Sequence, residues 1–193
     1  MFKYGYFILF SFILLINKVV IAQEMFTSNQ LDICNTANNV KYLTKNEKEV
    51  IQLINLARVY PSLFCKIYID KLIPHYYDSS YISSLKNELL SLSPIQLIYP
   101  DSNLYITANC WAIEAGVNGI KSHQRINCKY NYAAECISFN RFSAIEVVLS
   151  LLVDWGVPSL GHRHALLDSY YKKIGVSILP HKTSAHIAVL DFY

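Results

Sequence analysis

Two short strand-forming runs, residues 173–179 and 186–192, limit what this chain can become. Pro180 and Ser184 lie in the turn between them, which suits a hairpin. A lone hairpin is marginal in water, so its apolar face has to be covered by other parts of the chain. Residues 132–139 read as one more strand, residues 93–100 as extended, and most of what precedes them as helix. Helices first, then mixed strand and helix, then an antiparallel pair: this order predicts an α+β fold. Helices should cover a mixed or antiparallel sheet, and a doubly wound parallel sheet is excluded.

The helical readings rest on caps and spacing. Thr44 and Glu47 form a capping-box pattern, and Val50, Leu53, Ile54 and Ala57 follow on one apolar stripe. Pro61 interrupts that helix or starts the next one, because it fixes φ and cannot donate. Asp101 or Ser102 caps a helix carrying Leu104, Ala108, Trp111, Ala112 and Ala115, with its end expected at Gly116. Ser143 and Glu146 repeat the capping-box pattern before an apolar helix over 144–155. After a break at 158–161, residues 162–171 read as a short helix. Residues 75–84 and 118–130 read as loops, with a short helix over 84–92. Residues 23–43 are rich in Asn, Gln and Thr and read as a polar extension of a domain spanning 44–193.

Lys3 precedes an apolar run over residues 6–16, and Val20-Ile21-Ala22 fit a cleavage site, so residues 1–22 read as a secretory signal peptide cut after Ala22. The run is short for a membrane span and Asn17-Lys18 interrupts it, so the mature chain is expected to be secreted, extracellular or periplasmic, and not membrane-spanning. Removing 22 residues from 193 leaves 171, enough for one domain with a real core. It also leaves 15 basic against 14 acidic residues, a net charge of +1 with no basic run, which argues against nucleic acid as a partner. Five cysteines remain, so at least one is unpaired or intermolecular; Cys128 and Cys136 flank a short loop and are the expected bridge.

His75, His181 and His186 have no acidic neighbours in sequence and read as surface residues. His162 and His164 are two positions apart on a helix, so only one of them can face a cleft. The informative groups are Ser122-His123, Ala134-Glu135-Cys136 and Gly161-His162-Arg163, which periodicity alone does not join.

A resemblance does join them. The stretch Pro94 to Leu104 running into Ala108, Trp111 and Ala112, then His123, then Ala134-Glu135-Cys136-Ile137, then Trp155 with Pro158-Ser159-Leu160-Gly161-His162-Arg163-His164-Ala165-Leu166-Leu167, and finally Ile174-Gly175-Val176, resembles the CAP superfamily in motif order and spacing. That superfamily comprises cysteine-rich secretory proteins, antigen 5 and pathogenesis-related 1; the form here is similar to its bacterial members. The likeness covers about residues 46–193. It implies a three-layer α-β-α sandwich and a cleft lined by His123, Glu135 and His162. The second acid of the family cleft would fall at Pro158, so that acid is missing, and Asp154 is expected to face elsewhere.

Two imidazoles and a carboxylate are competent zinc ligands, so His123 and His162 are candidates for a metal site. The same trio can instead be a hydrogen-bond network in which Glu135 fixes one imidazole tautomer. No Gly-x-Ser-x-Gly elbow is present, and a carboxylate beside Cys136 raises its thiol pKa. The resemblance therefore implies a non-enzymatic binder of an apolar or lipid ligand, or of a protein partner, with no required cofactor. A weak metal-dependent hydrolase using His123, Glu135 and His162, and an envelope-associated interaction module, are the alternatives.

Overall fold

The structure is a computed structural model and describes residues 25–72 and 79–193. The signal peptide expected over 1–22, along with His75, lies outside the described residues. In chain order the elements are α1 (Ser28–Cys34), α2 (Lys45–Val59), α3 (Pro61–Phe64) continuing through a π-helical turn (Cys65–Ile69) into α4 (Asp70–Leu72), and α5 (Ser79–Ser91). Then come β1 (Tyr99–Pro100), α6 (Ser102–Asn118), β2 (Ala134–Phe139), α7 (Ala144–Val153), α8 (Gly161–Leu167), β3 (Lys173–His181) and β4 (Ala185–Phe192). The sheet order is β1-β3-β4-β2, with β1 parallel to β3 and the other pairs antiparallel. The fold is α+β, as the order of elements predicts.

Strand alternation divides the molecule into layers. On β2, β3 and β4 the odd-numbered side chains Ile137, Leu179, Ile187 and Val189 face α6, whose Ala108, Trp111, Ala112 and Ala115 complete a small core. The even-numbered Cys136, Ile174, Val176, Ala188, Leu190 and Phe192 face the larger core under α2, α7 and α8. Gly175 is odd-numbered and sits under the backbone of α6. A Cβ there would lie 2.1 Å from the Leu104 carbonyl carbon, so only glycine lets helix and sheet approach this closely.

The capping boxes form as read. Thr44 accepts from the Glu47 N–H at 3.3 Å, and Glu47 accepts from the Thr44 N–H at 2.7 Å. Glu47 is also buried, and its second oxygen accepts the Ile178 N–H at 2.9 Å, joining α2 to β3. Pro61 occupies the first turn of α3. Arg58 is fully buried and donates to the carbonyls of Gln96, Leu166, Asp168 and Tyr171 at 2.9–3.0 Å, pinning the α5–β1 and α8–β3 connections and the end of α8 to one side chain.

Several expectations are corrected. The polar extension is not an appendage: Thr27 and Gln30 form a capping box for α1, and Cys34, Ala37 and Leu43 enter the large core. Buried Asn55 holds this segment in place by donating to the Cys34 carbonyl at 3.0 Å and to Thr36 Oγ1 at 3.1 Å. Three apolar residues spread over ten positions leave no period to read. α6 passes Gly116 and ends at Asn118, because Gly119, at φ 72°, supplies the left-handed cap. Pro180 lies within β3 and not in the turn, and α5 begins five residues before the short helix read at 84–92. His181 is buried, its Nε2 3.0 Å from the Ile120 carbonyl oxygen, and so is not a surface residue.

Cys128 bridges Cys110, not Cys136. Cys136 is even-numbered on β2 and points into the large core, whereas Cys110 rides on α6 in the opposite layer. Glu114, one turn along α6, accepts the N–H groups of Ile126 and Asn127 at 3.0 and 2.8 Å and brings Cys128 to that helix. Cys34, Cys65 and Cys136 are free and buried.

Candidate functional site

The three residues singled out in the sequence belong to two histidine–carboxylate pairs beside the edge strand β2, His123 with Glu135 and His162 with Asp154. The first pair belongs to the α6 layer. Glu135 is odd-numbered and lies opposite Asp191 of β4 in register, so two carboxylates face α6 side by side. Both are buried, which is costly for unpaired charge. Arg125, itself buried, resolves this: its guanidinium hydrogen-bonds Glu135, donates to both Asp191 oxygens at 3.2 Å, and donates to the Thr107 carbonyl at 2.8 Å. Thr107 Oγ1 donates to Asp191 at 2.6 Å, and the Tyr132 ring stacks 4.8 Å from the guanidinium carbon. His123 completes the group with Nδ1 2.7 Å from Glu135 Oε1, and its side chain remains 55% exposed.

This network shifts its titrations. Burial pushes the Asp191 carboxyl up to about 7, with the Thr107 and Arg125 contacts pulling the other way. The hydrogen bond to Glu135 holds His123 above the ordinary histidine value, against the opposing effect of its burial.

The second pair belongs to the other layer. Asp154 ends α7 in the left-handed region at φ 55°. That conformation turns its carboxylate onto the start of α8, whose own N-cap, Leu160, has no side-chain acceptor to offer. Asp154 accepts the His162 and Arg163 N–H groups at 2.9 and 3.3 Å and the His162 ring at 2.6 Å through Nδ1. The expectation that Asp154 faces elsewhere is therefore corrected. A straight continuation of α7 would carry it away, and the left-handed residue redirects it. His162 thus has a carboxylate partner although position 158 is an exposed proline. Arg163 fixes the junction, donating to Leu152 and Val153 carbonyls at 2.7 and 3.0 Å. His164 points to solvent, as the helical spacing required.

Beside this pair lies a pocket of about 180 Å³ against the edge of β2, lined by Ser138, Arg141, Ser150, Trp155, Val157 and His162. Trp155 is 59% exposed. Three of the four described non-glycine residues with positive φ lie in the pocket's lining or in the segments that flank it, Asn140, Asp154 and Leu160 at 57°, 55° and 51°; the fourth, Ala185, begins β4. Such conformations cost energy and persist where surrounding contacts enforce them, often at functional sites.

The chemistry available is limited. Ser138 and Ser150 bond to each other at 2.9 Å and Ser150 donates to the Val147 carbonyl, so neither hydroxyl is engaged by His162. The Cys136 thiol is buried, and that burial pushes its pKa well up, the reverse of an activated nucleophile. Among the described residues no three His, Cys, Asp or Glu side chains converge as a metal-holding group. His123 and His162 are each tied through Nδ1 to a different carboxylate, the hydrogen-bond network weighed as one alternative, and the two rings do not converge as a candidate metal pair among the described residues.

Two residues of this network, Arg125 and Asp191, are not among those the sequence singles out, and Asp154 is weighed there only as facing elsewhere. Asp191 carries a legible signal, an acid alternating with apolar residues in a strand; Arg125, in an aperiodic stretch, carries none.

No protein-family model matches the chain, and no curated protein matches it. Among solved structures it is similar to an outer surface protein from Borrelia burgdorferi, at 22% identity and a TM-score of 0.42. That likeness covers 59% of this chain and 86% of the other. Among the described residues no helix is long and apolar enough to cross a membrane.

Proposed function

We propose that this chain is an exported CAP-type binding module that takes a protein partner at the edge of β2, with His162 and Trp155 as the principal contacts. The observation that carries the reading is the pocket beside the Asp154–His162 pair. Its volume of about 180 Å³ falls below the roughly 300–1,000 Å³ of small-molecule sites and suits one inserted side chain. Its lining sets hydroxyls, an arginine, an imidazole and an exposed indole beside the apolar Ile137, Phe139, Leu151 and Val157, a mixed composition that fits a partner anchor. With Asp154 ionised, the His162 proton sits on Nδ1, and Nε2 is the ring's acceptor. The Cys110–Cys128 bridge accords with an oxidising destination.

Selection of peptides from a displayed random library against the immobilised protein tests this. Enriched peptides should lose at least about tenfold in affinity against W155A and H162A. Peptides that bind both variants as well as the native chain would defeat the proposal, as would zinc that co-purifies stoichiometrically and is lost in both H123A and H162A.

A further inference from the structure

The two edges of the sheet are unlike each other. At one, β1 is two residues long and includes Pro100, a short, proline-bearing form that discourages further pairing. At the other, β2 pairs with β4 over six residues in continuous register, and it contains no proline or lysine. Its one charged side chain, Glu135, is turned inward to Arg125.

The register identifies the backbone groups that this edge leaves over. Lys173 and Tyr193 exchange hydrogen bonds in both directions, at 2.8 and 3.0 Å. Along β4 the odd-numbered residues therefore bond to β3 and the even-numbered ones to β2. The Asn140 N–H, donating to the His186 carbonyl at 3.1 Å, gives the same phase from the β2 side. The N–H and C=O groups of Ile137 and Phe139 thus point away from β4, and among the described residues they have no hydrogen-bond partner. Ile137 is 8% exposed, and backbone polar groups so enclosed are costly unless paired. The pocket beside the Asp154–His162 pair borders these groups. Ile137 and Phe139 turn their side chains to the α6 layer, yet both line it together with Ser138 and Ser150 of the other layer, so the pocket reaches round the free edge.

We infer, resting on the partner reading above, that the partner binds as an added β-strand: an extended peptide segment that hydrogen-bonds to Ile137 and Phe139 and inserts one side chain into the pocket. Strand alternation places the rest. The partner residue opposite Ser138 faces the pocket that Trp155 and His162 line, and its two neighbours face the α6 layer, where His123 is exposed. A second copy of this chain does not complement the edge. Its own β2 would offer the pocket only Ala134, Cys136 or Ser138, which are small or buried within its fold.

The tightest peptide from the displayed library, synthesised with one backbone N-methyl group at each position in turn, tests the added strand. A strand gives every second N–H to β2, so calorimetric affinity should fall about tenfold or more at alternate positions and change less than about twofold between them. On the protein, F139P removes an N–H that the sheet does not use, a change that edge strands accept, and should bind at least about tenfold more weakly than F139A. Thermal unfolding verifies that both variants fold; the N-methyl series leaves the protein native and is decisive if F139P does not fold. Peptides that depend on Trp155 and His162 but lose affinity at consecutive positions, or at none, would overturn the inference and leave the partner reading standing. Equal binding by folded F139P and F139A would do the same. A library that yields no peptide dependent on Trp155 and His162 would defeat that reading and the inference with it. Dimerisation of the chain that F139P abolishes would assign the edge to a second copy and overturn the inference as well.

Discussion

At the scale of single residues, the site depends on side chains whose positions the backbone forces. Asp154 in the left-handed region satisfies three donors from α8. D154A loses all three acceptor contacts and keeps an unfavourable φ, so urea unfolding should report a loss of about 3 kcal/mol. D154N tolerates that φ and retains one acceptor, and should lose about half as much. The Arg125 network makes a prediction about pH. Asp191 rises on folding from 3.8 to about 7, so the native state holds its proton more tightly than the unfolded chain. Stability from this residue is present at low pH and falls as pH rises from about 4 to about 7. His123, also raised, contributes below the ordinary histidine value and loses that contribution as pH climbs through its folded value, in the same direction. The melting temperature should fall on the order of 5 °C between pH 5 and pH 8. D191N should flatten the lower part of this profile and H123A the upper part; a flat native profile would contradict both assignments.

At the scale of elements, the contact between α6 and β3 depends on a missing side chain. G175A places a methyl group against the Leu104 and Tyr105 backbone, which cannot yield as a flexible side chain would. Differential scanning calorimetry should find it destabilised by at least about 3 kcal/mol, more than a surface glycine-to-alanine change would cause. Elements with a strong local signal were legible: the Thr44 and Ser143 capping boxes, the stripe of α2 and the closing strands. α1 was not, because its seven residues bury only Cys34 and its end is held by Asn55, which lies far along the chain. The end of α6 was misread for a related reason. Gly116 answers to the Pro180 carbonyl, where a Cβ would sit 2.5 Å away, while Gly119 carries the cap.

At the scale of the whole molecule, α6 covers one side of the sheet and α2, α7 and α8 the other, and this sidedness explains both what the sequence revealed of the site and what it concealed. Motif order singles out His123, Glu135 and His162, but residues on the two sides of one sheet cannot be told apart without register. Glu135 and Cys136 are neighbours in sequence and belong to different layers. The same sidedness predicts a separable disulfide effect. Replacing Cys110 and Cys128 by serine releases a loop of separation 18 in the α6 layer. It should lower stability by about 3 kcal/mol in urea unfolding while peptide binding at His162 is unchanged. The strand order carries a further consequence, for timing. Among the described residues β2 has one sheet partner, β4, which follows it by way of α7, α8 and β3. While a growing chain lacks residues 185–192, β2 lacks its β4 partner and Cys136 has no complete core to occupy. In that interval Cys128 is closer along the chain to Cys136 than to Cys110, and the shorter loop closes at lower entropic cost. Early oxidation therefore favours the bridge that the finished fold rejects, and the arrival of the last strand is what makes the native pairing the stable one.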